Sequence, residues 1–337
     1  MSGIRALRKI QFGREDPAGT AVDATTVYRG IGLLNDKREI IHPEENVGML
    51  VPTTRAYSPK HAAEIELDDT EATFEQILHL LEMGIMTATA DRDDVGVYAD
   101  TGSGYIYTYD FPTTAQKTPK YYTVRGGDNQ RVDVAEYCFA EKIVLAGKGG
   151  EAVMMGGTLI GRQAADGDFT ADISTPTVEE IIFSKGELSI NATSSAFGTT
   201  EVPNALLEFN LEIETGFKAR FAAIGDKYFS HVNQVQPKVK LELTLEHGSA
   251  AETEIAAARN QTARAVQLLF EGSALTTPGD YSYKTLQIDL CGTYAEVPAI
   301  DDDDDSDVVK LSLIGGYDAT RAKMGTITVV NELSAVQ

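Results

Sequence analysis

Along residues 63–84, AEIELDDTEATFEQILHLLEMG, the spacing of apolar side chains changes period. Ile65 and Leu67 alternate with Glu64 and Glu66, which predicts a strand with one wet and one buried face. Asp68, Asp69 and Thr70 then offer capping oxygens and negative charge at a helix start. Phe74, Ile77, Leu78 and Leu81 follow at i, i+3, i+4 and i+7 as one apolar stripe, and Gly84 is placed to end it at a position tolerant of positive φ.

The same order returns in LELTLEHGSAAETEIAAARNQTARAVQLLFEG, residues 241–272. Leu241, Leu243 and Leu245 alternate with polar residues, and Ser249 and Glu252 have capping-box spacing. Ile255, Ala258, Val266, Leu269 and Phe270 can share one face of a helix longer than the first, closed by Gly272. Ala63 and Leu241 stand 178 residues apart. YYTVRGGDNQRVDV and VPAIDDDDDSDVVKL both read as strand, polar turn, strand, with Gly126 and Asp303 standing 177 apart. Upstream, TVYRGIGLL precedes the first copy much as ALLEFNLEI, with Leu207, Phe209, Leu211 and Ile213 alternating, precedes the second.

Two readings of these landmarks stay open: a duplicated module, and generic α+β segments that share pattern without identity. Duplication divides the chain into a first module over 1–163, a linker over 164–180 rich in Ala, Asp, Gly and Thr, and a second module over 181–337. The other apolar segments are short, β-rich and punctuated by Gly, Asn, Asp, Thr and Pro. The expected fold class is therefore mainly β (α+β), with one helix flanking each module.

Charge sharpens the picture. Lys and Arg number 29 against 51 Asp and Glu, a formal net charge of -22 over 337 residues. Such a surface repels a polyanion, so tight DNA or RNA binding is disfavoured. Cys138 and Cys291 are the two cysteines, far apart and in no CxxC pair, which fits neither a disulfide scaffold nor a thiolate metal site and suits a reducing compartment. No apolar run approaches eighteen residues, and MSGIRALRKIQFGRED lacks an apolar signal core, so neither a membrane span nor export by that route is expected.

Motifs for chemistry are wanting. HExxH, GxSxG, GxGxxG and the Walker sequence do not occur, and Gly147–Glu151 (GKGGE) reads as a hairpin turn. His42, His61, His79, His231 and His247 are scattered, His79 falling on the flank of the first helix. Asp301–Asp305 with Ser306 and Asp307 could attract Ca²⁺ but lacks the Gly and closing Glu of an EF-hand, and a solvated hairpin tip is favoured. No catalytic, cofactor-binding or metal residue is therefore assigned, and an enzyme is not expected.

The segments ALRKIQFGREDPAGTAVDATTVYRGIGLL, HPEENVGMLVPTTRAYSPKHAAEIELDDTEATFEQILHLLEMGI and EYCFAEKIVLAGKGGEAVMMGGTLIGR, together about a third of the chain, resemble the major tail tube protein of long-tailed, non-contractile bacteriophages. The resemblance implies tandem tail-tube-like β-sandwich or barrel modules, each with a flanking helix, whose hairpins join around a ring into one β-barrel. Rings would stack into a hollow conduit for genome passage. Since six modules usually make a ring, two fused modules imply a trimeric ring with pseudo-sixfold symmetry. Partners would be further copies, the tape measure, tail tip and terminator proteins, and transiting DNA held without tight binding; the place would be the virion, after assembly in the host cytoplasm.

Within that reading, Tyr121–Val134 and Ala295–Leu311 are the expected bore-facing hairpins. An acidic bore would repel a duplex bearing one charge per roughly 1.7 Å. The arm Met1–Thr20, basic at Arg5, Arg8, Lys9 and Arg14, would dock on a neighbouring ring or stay frayed. Two other readings compete: a β-sandwich hydrolase or calcium-dependent binding protein using Asp301–Asp307, and another virion component such as a baseplate or decoration protein.

Overall fold

Period-two alternation governs most of the backbone, and the computed structural model, which describes residues 3–93, 102–303 and 306–336, is mainly β with a large antiparallel sheet. The first half contains β1 (Lys9–Arg14), β2 (Thr26–Tyr28), β3 (Gly32–Asp36), β4 (Ala63–Glu71), α1 (Ile77–Gly84), β5 (Asp91–Arg92), β6 (Tyr105–Asp110), β7 (Tyr122–Gly127), β8 (Val132–Lys148), β9 (Met154–Gly161) and β10 (Ala164–Gly167). In the second half come β11 (Gly186–Ala192), β12 (Leu206–Glu214), β13 (Phe217–Arg220), β14 (His231–Gln234), β15 (Lys238–Glu246), α2 (Ser249–Arg259), β16 (Arg264–Ala274), β17 (Tyr283–Tyr294), β18 (Ile300–Asp303), β19 (Ser306–Gly315) and β20 (Gly325–Asn331).

Three runs of strands build the sheet. The first is β2–β1–β7–β8–β10, through the N-terminal half of β8. The second, β3–β4–β9–β8–β12–β15–β19–β18, uses the C-terminal half of β8 and crosses from the first half of the chain into the second. The third is β11–β16–β17–β20–β6–β5, joined to the second where Gly292–Tyr294 pair with Leu313–Gly315. One continuous core of Leu, Ile, Val and aromatic side chains runs beneath both halves.

β8 changes runs at a kink. Its ladder with β9 slips between Ala140 and Lys142, and Tyr137 takes φ 55°, a left-handed conformation that costs a bulky residue energy unless its surroundings impose it. The buried Glu15 carboxylate holds the kink. It accepts hydrogen bonds from the Tyr137 amide at 2.8 Å, the Thr123 hydroxyl at 2.9 Å and the Gly19 amide at 2.6 Å.

The pairings of the first half recur in order in the second. β3–β4–β9–β8 is matched by β12–β15–β19–β18, and β1–β7–β8–β10 by β11–β16–β17–β20. β17 and β18 together occupy the place of the long β8. Residues 85–93 and 102–121 have no counterpart among the described residues; they carry β5 and β6, and β6 pairs with β20 of the second half.

Several expectations are corrected. β4 runs through Asp68, Asp69 and Thr70, so these do not cap α1. The Thr73 hydroxyl accepts from the Gln76 amide just before the helix instead. Gly84 is the last residue of α1 and is not in the left-handed region; a Cβ there would lie 2.4 Å from Ile143 Cδ1, so it serves close packing on β8. α2 ends at Arg259, and Val266, Leu269 and Phe270 belong to β16, not to a long helix. The segment expected as a linker, 164–180, begins with β10. Hairpin 121–134 is β7 with the start of β8, whose counterpart is β16–β17, whereas β18–β19 matches β8–β9. The two hairpins thus share a pattern without sharing a place, because strand–turn–strand says nothing about partners.

Candidate functional site

The junction between the halves is a strand pair. Lys142–Lys148 of β8 lie antiparallel to Glu208–Glu214 of β12, with Ile143 opposite Ile213 and Leu145 opposite Leu211. These side chains are buried on one face, and Lys142 meets Glu212 at 2.7 Å on the other. Gly147 leaves room for the Phe209 ring, which would lie 2.5 Å from a Cβ at that position.

The counterparts of these two strands are β18 and β3, at opposite ends of the same run. Among the described residues β3 pairs only with β4 and β18 only with β19, so each presents an open edge. Open edges expose unpaired amides and carbonyls that invite another strand. The β3–β4 ladder continues past Asp36 through Lys37, Glu39 and Ile41, lengthening its edge. Ile31 and Leu33 are exposed on that side, and Val297 and Ile300 are exposed at β18.

Charges differ at the two edges. β18 carries Asp301, Asp302 and Asp303, all exposed. Lys310 donates to Asp301 at 2.6 Å and holds its carboxyl below the usual carboxylate range, while Lys310 itself is raised by the same bond. Asp304 and Asp305 lie outside the described residues. The β3 edge ends in Lys37, 2.5 Å from Glu64, and Arg38, 3.3 Å from Asp36.

The solvent face of β8, β12, β15 and β19 mixes both signs. Lys142, Lys148, Lys238, Lys240 and Lys310 alternate there with Glu208, Glu212, Glu214, Glu242 and Glu246. Lys240–Glu242 at 2.6 Å and Lys238–Glu214 at 3.1 Å show the pairing. These ten charges cancel, but Glu296, Asp301 and Asp303 stand on the same side near Lys240 and Lys310, so the face as a whole is acidic.

Other residues singled out in the sequence take structural places. Lys9 and Arg14 belong to β1, a strand paired on both sides, so the expected N-terminal arm shrinks to the residues before Lys9. Arg14 reaches the buried Glu82 of α1 through two 3.0 Å bonds, and Tyr122 donates to the same carboxylate at 2.9 Å. Burial raises Glu82 and drives its neighbour His79, 3.2 Å from the Tyr122 hydroxyl, down to about 3. His79 is therefore an interior residue and not a flank. Glu254 of α2 is also buried, bonded by Arg264 at 2.8 Å and Tyr294 at 2.7 Å. Gly147–Glu151 forms the β8–β9 turn, with Gly150 at φ 86°. Sequence reasoning missed β3 and β18 as edges; the short GLLND and the acid run gave only weak strand patterns.

Among the described residues no group of His, Cys, Asp and Glu is placed to hold a metal ion, and no helix is long and apolar enough to cross a membrane. No protein-family model matches the chain, and no curated protein matches it.

Proposed function

We propose that this chain is a structural virion protein: a tail-tube-like subunit of two tandem β-sandwich modules, each with a flanking helix. Copies join edge to edge into three-copy, pseudo-sixfold rings that stack into a hollow conduit for genome passage. The observation that carries the reading is the β8–β12 junction together with its open counterparts, β18 and β3. A contact already made once inside the chain can be made again between chains, head to tail, and such heterologous contacts close into rings when the rotation allows.

Carrying over the β8–β12 register sets Asp301 of one copy opposite Lys37 of the next, with Arg38 beside Ile300. Opposite charges across an antiparallel pair stabilise it and like charges destabilise it. The face of β8, β12, β15 and β19, its lysines set among glutamates and with Glu296, Asp301 and Asp303 beside them, suits a bore wall that does not grip a duplex, since counterion-releasing contacts need unpaired cations. Tape measure, tail tip and terminator proteins would meet the ends of the stack.

A charge swap tests the reading. Lys37→Glu with Arg38→Glu is expected to leave the chain folded but abolish rings in sedimentation, and adding Asp301→Lys with Asp302→Lys to the same chain, which reverses both sides of every junction, is expected to restore rings. Rings that survive the first change, or fail to return with the second, count against edge pairing.

A further inference from the structure

The long connections after β3 and β12 are counterparts, and one of them already shows what such a connection does. Residues 215–237, holding β13 and β14, leave the second half and lie across the end of the first. Phe217 and Phe229 are buried there against Phe139, at ring distances of 6.4 and 6.0 Å, and the Arg162 guanidinium stacks over Tyr137 at 4.4 Å. The segment reaches the base of the other connection, where the His61 amide donates to the Lys227 carbonyl at 2.9 Å.

Residues 37–62 meet that segment only at their base, where Lys60 lies 4.6 Å over the Phe221 ring and His61 bonds Lys227; among the described residues nothing covers their apolar middle. They leave Ile40, Val47, Met49, Leu50 and Val51 in solvent, Leu50 fully so, which is unusual for a contiguous apolar group. The ground on which they would lie by repetition is the end of the second half, beyond β19. Open there is a cleft of about 650 Å³ lined by Val235, Pro237, Gly315, Tyr317, Met324 and Pro112, with Val235 and Tyr317 exposed. β3 and β19 stand six strands apart in one run, roughly 29 Å at about 4.8 Å per strand, whereas edge pairing would set β3 of one copy beside β18, the neighbour of β19, in another, so the ground nearest to the connection is another copy's.

We propose that residues 37–62 of one copy seat in the cleft at Gln234–Pro237 and Gly315–Tyr317 of the adjacent copy in the same ring, Met49 and Leu50 filling it. The seat rests on the edge-to-edge reading and adds a second, apolar contact at each junction. It repeats between chains the burial that Phe217 and Phe229 make within one.

Photo-crosslinking locates the seat. A benzophenone amino acid at Leu50, in assemblies mixing isotopically labelled and unlabelled copies, is expected to attach to peptides containing 234–237 or 315–324 of a different copy. Attachment elsewhere, or within its own chain, overturns the seat while leaving rings intact. Met49→Asp with Leu50→Asp is expected to keep the monomer's melting temperature and to raise the concentration needed for assembly at least roughly tenfold; an unchanged threshold also overturns it. A chain that stays monomeric at every concentration overturns the edge-to-edge reading itself.

Discussion

Glu15 and His79 show how single side chains hold this fold. Glu15 satisfies three donors at the β8 kink, so Glu15→Ala strands them in the interior and is expected to cost about 3 kcal/mol in urea unfolding, with Glu15→Gln costing less. His79 stays neutral when folded, whereas the unfolded side chain takes up a proton near its ordinary pKa of 6.5. Its contribution is therefore full above pH 6.5 and is lost by about 1.4 kcal/mol per pH unit as pH falls from 6.5 toward 3. Glu82, raised by burial, has the opposite sign and acts as its own carboxylate protonates. The stability gap between the wild type and His79→Gln should shrink on going from pH 7.5 to pH 5; a constant gap would mean that His79 is not held neutral.

The strands that alternate cleanly, β4, β12 and β15, were legible because one wet and one dry face leave a period of two in the sequence. β16 was not. Its RAVQLLF run is buried on one face and half-buried on the other, and beside the Ala-rich α2 such a run reads equally well as helix. The strand end at Asp68–Thr70 was misread as a cap because acids serve both roles, and only the pairing of Thr70 with Met155 decides between them. The β8 kink and the crossing of β6 to β20 depend on partners more than a hundred residues away, which no local pattern encodes. Within this architecture the β13–β14 hairpin is a separable unit resting on a small aromatic cluster. Phe229→Ala is expected to cost about 3 kcal/mol and to release the hairpin, seen as faster amide exchange confined to residues 217–234. Exchange that rises uniformly along the chain would instead make the cluster part of the common core.

Two halves with one pairing order are joined by a strand pair whose counterparts lie open at both ends, and the proposed ring would pair those ends between copies. The edges themselves were hidden in the sequence, because openness is the absence of a partner and β18 looks like a charged turn. Its acids line one open edge of the run, and in the proposed assembly they would meet the Lys37 and Arg38 end of the next copy. A cryo-EM reconstruction of the purified chain, concentrated until it assembles, reads the contact itself. Closed three-copy rings are expected, with the β3 main chain of each copy hydrogen-bonded to β18 of the next. Particles in which β3 faces solvent or a different strand, or a chain that never leaves the monomer, would contradict the account.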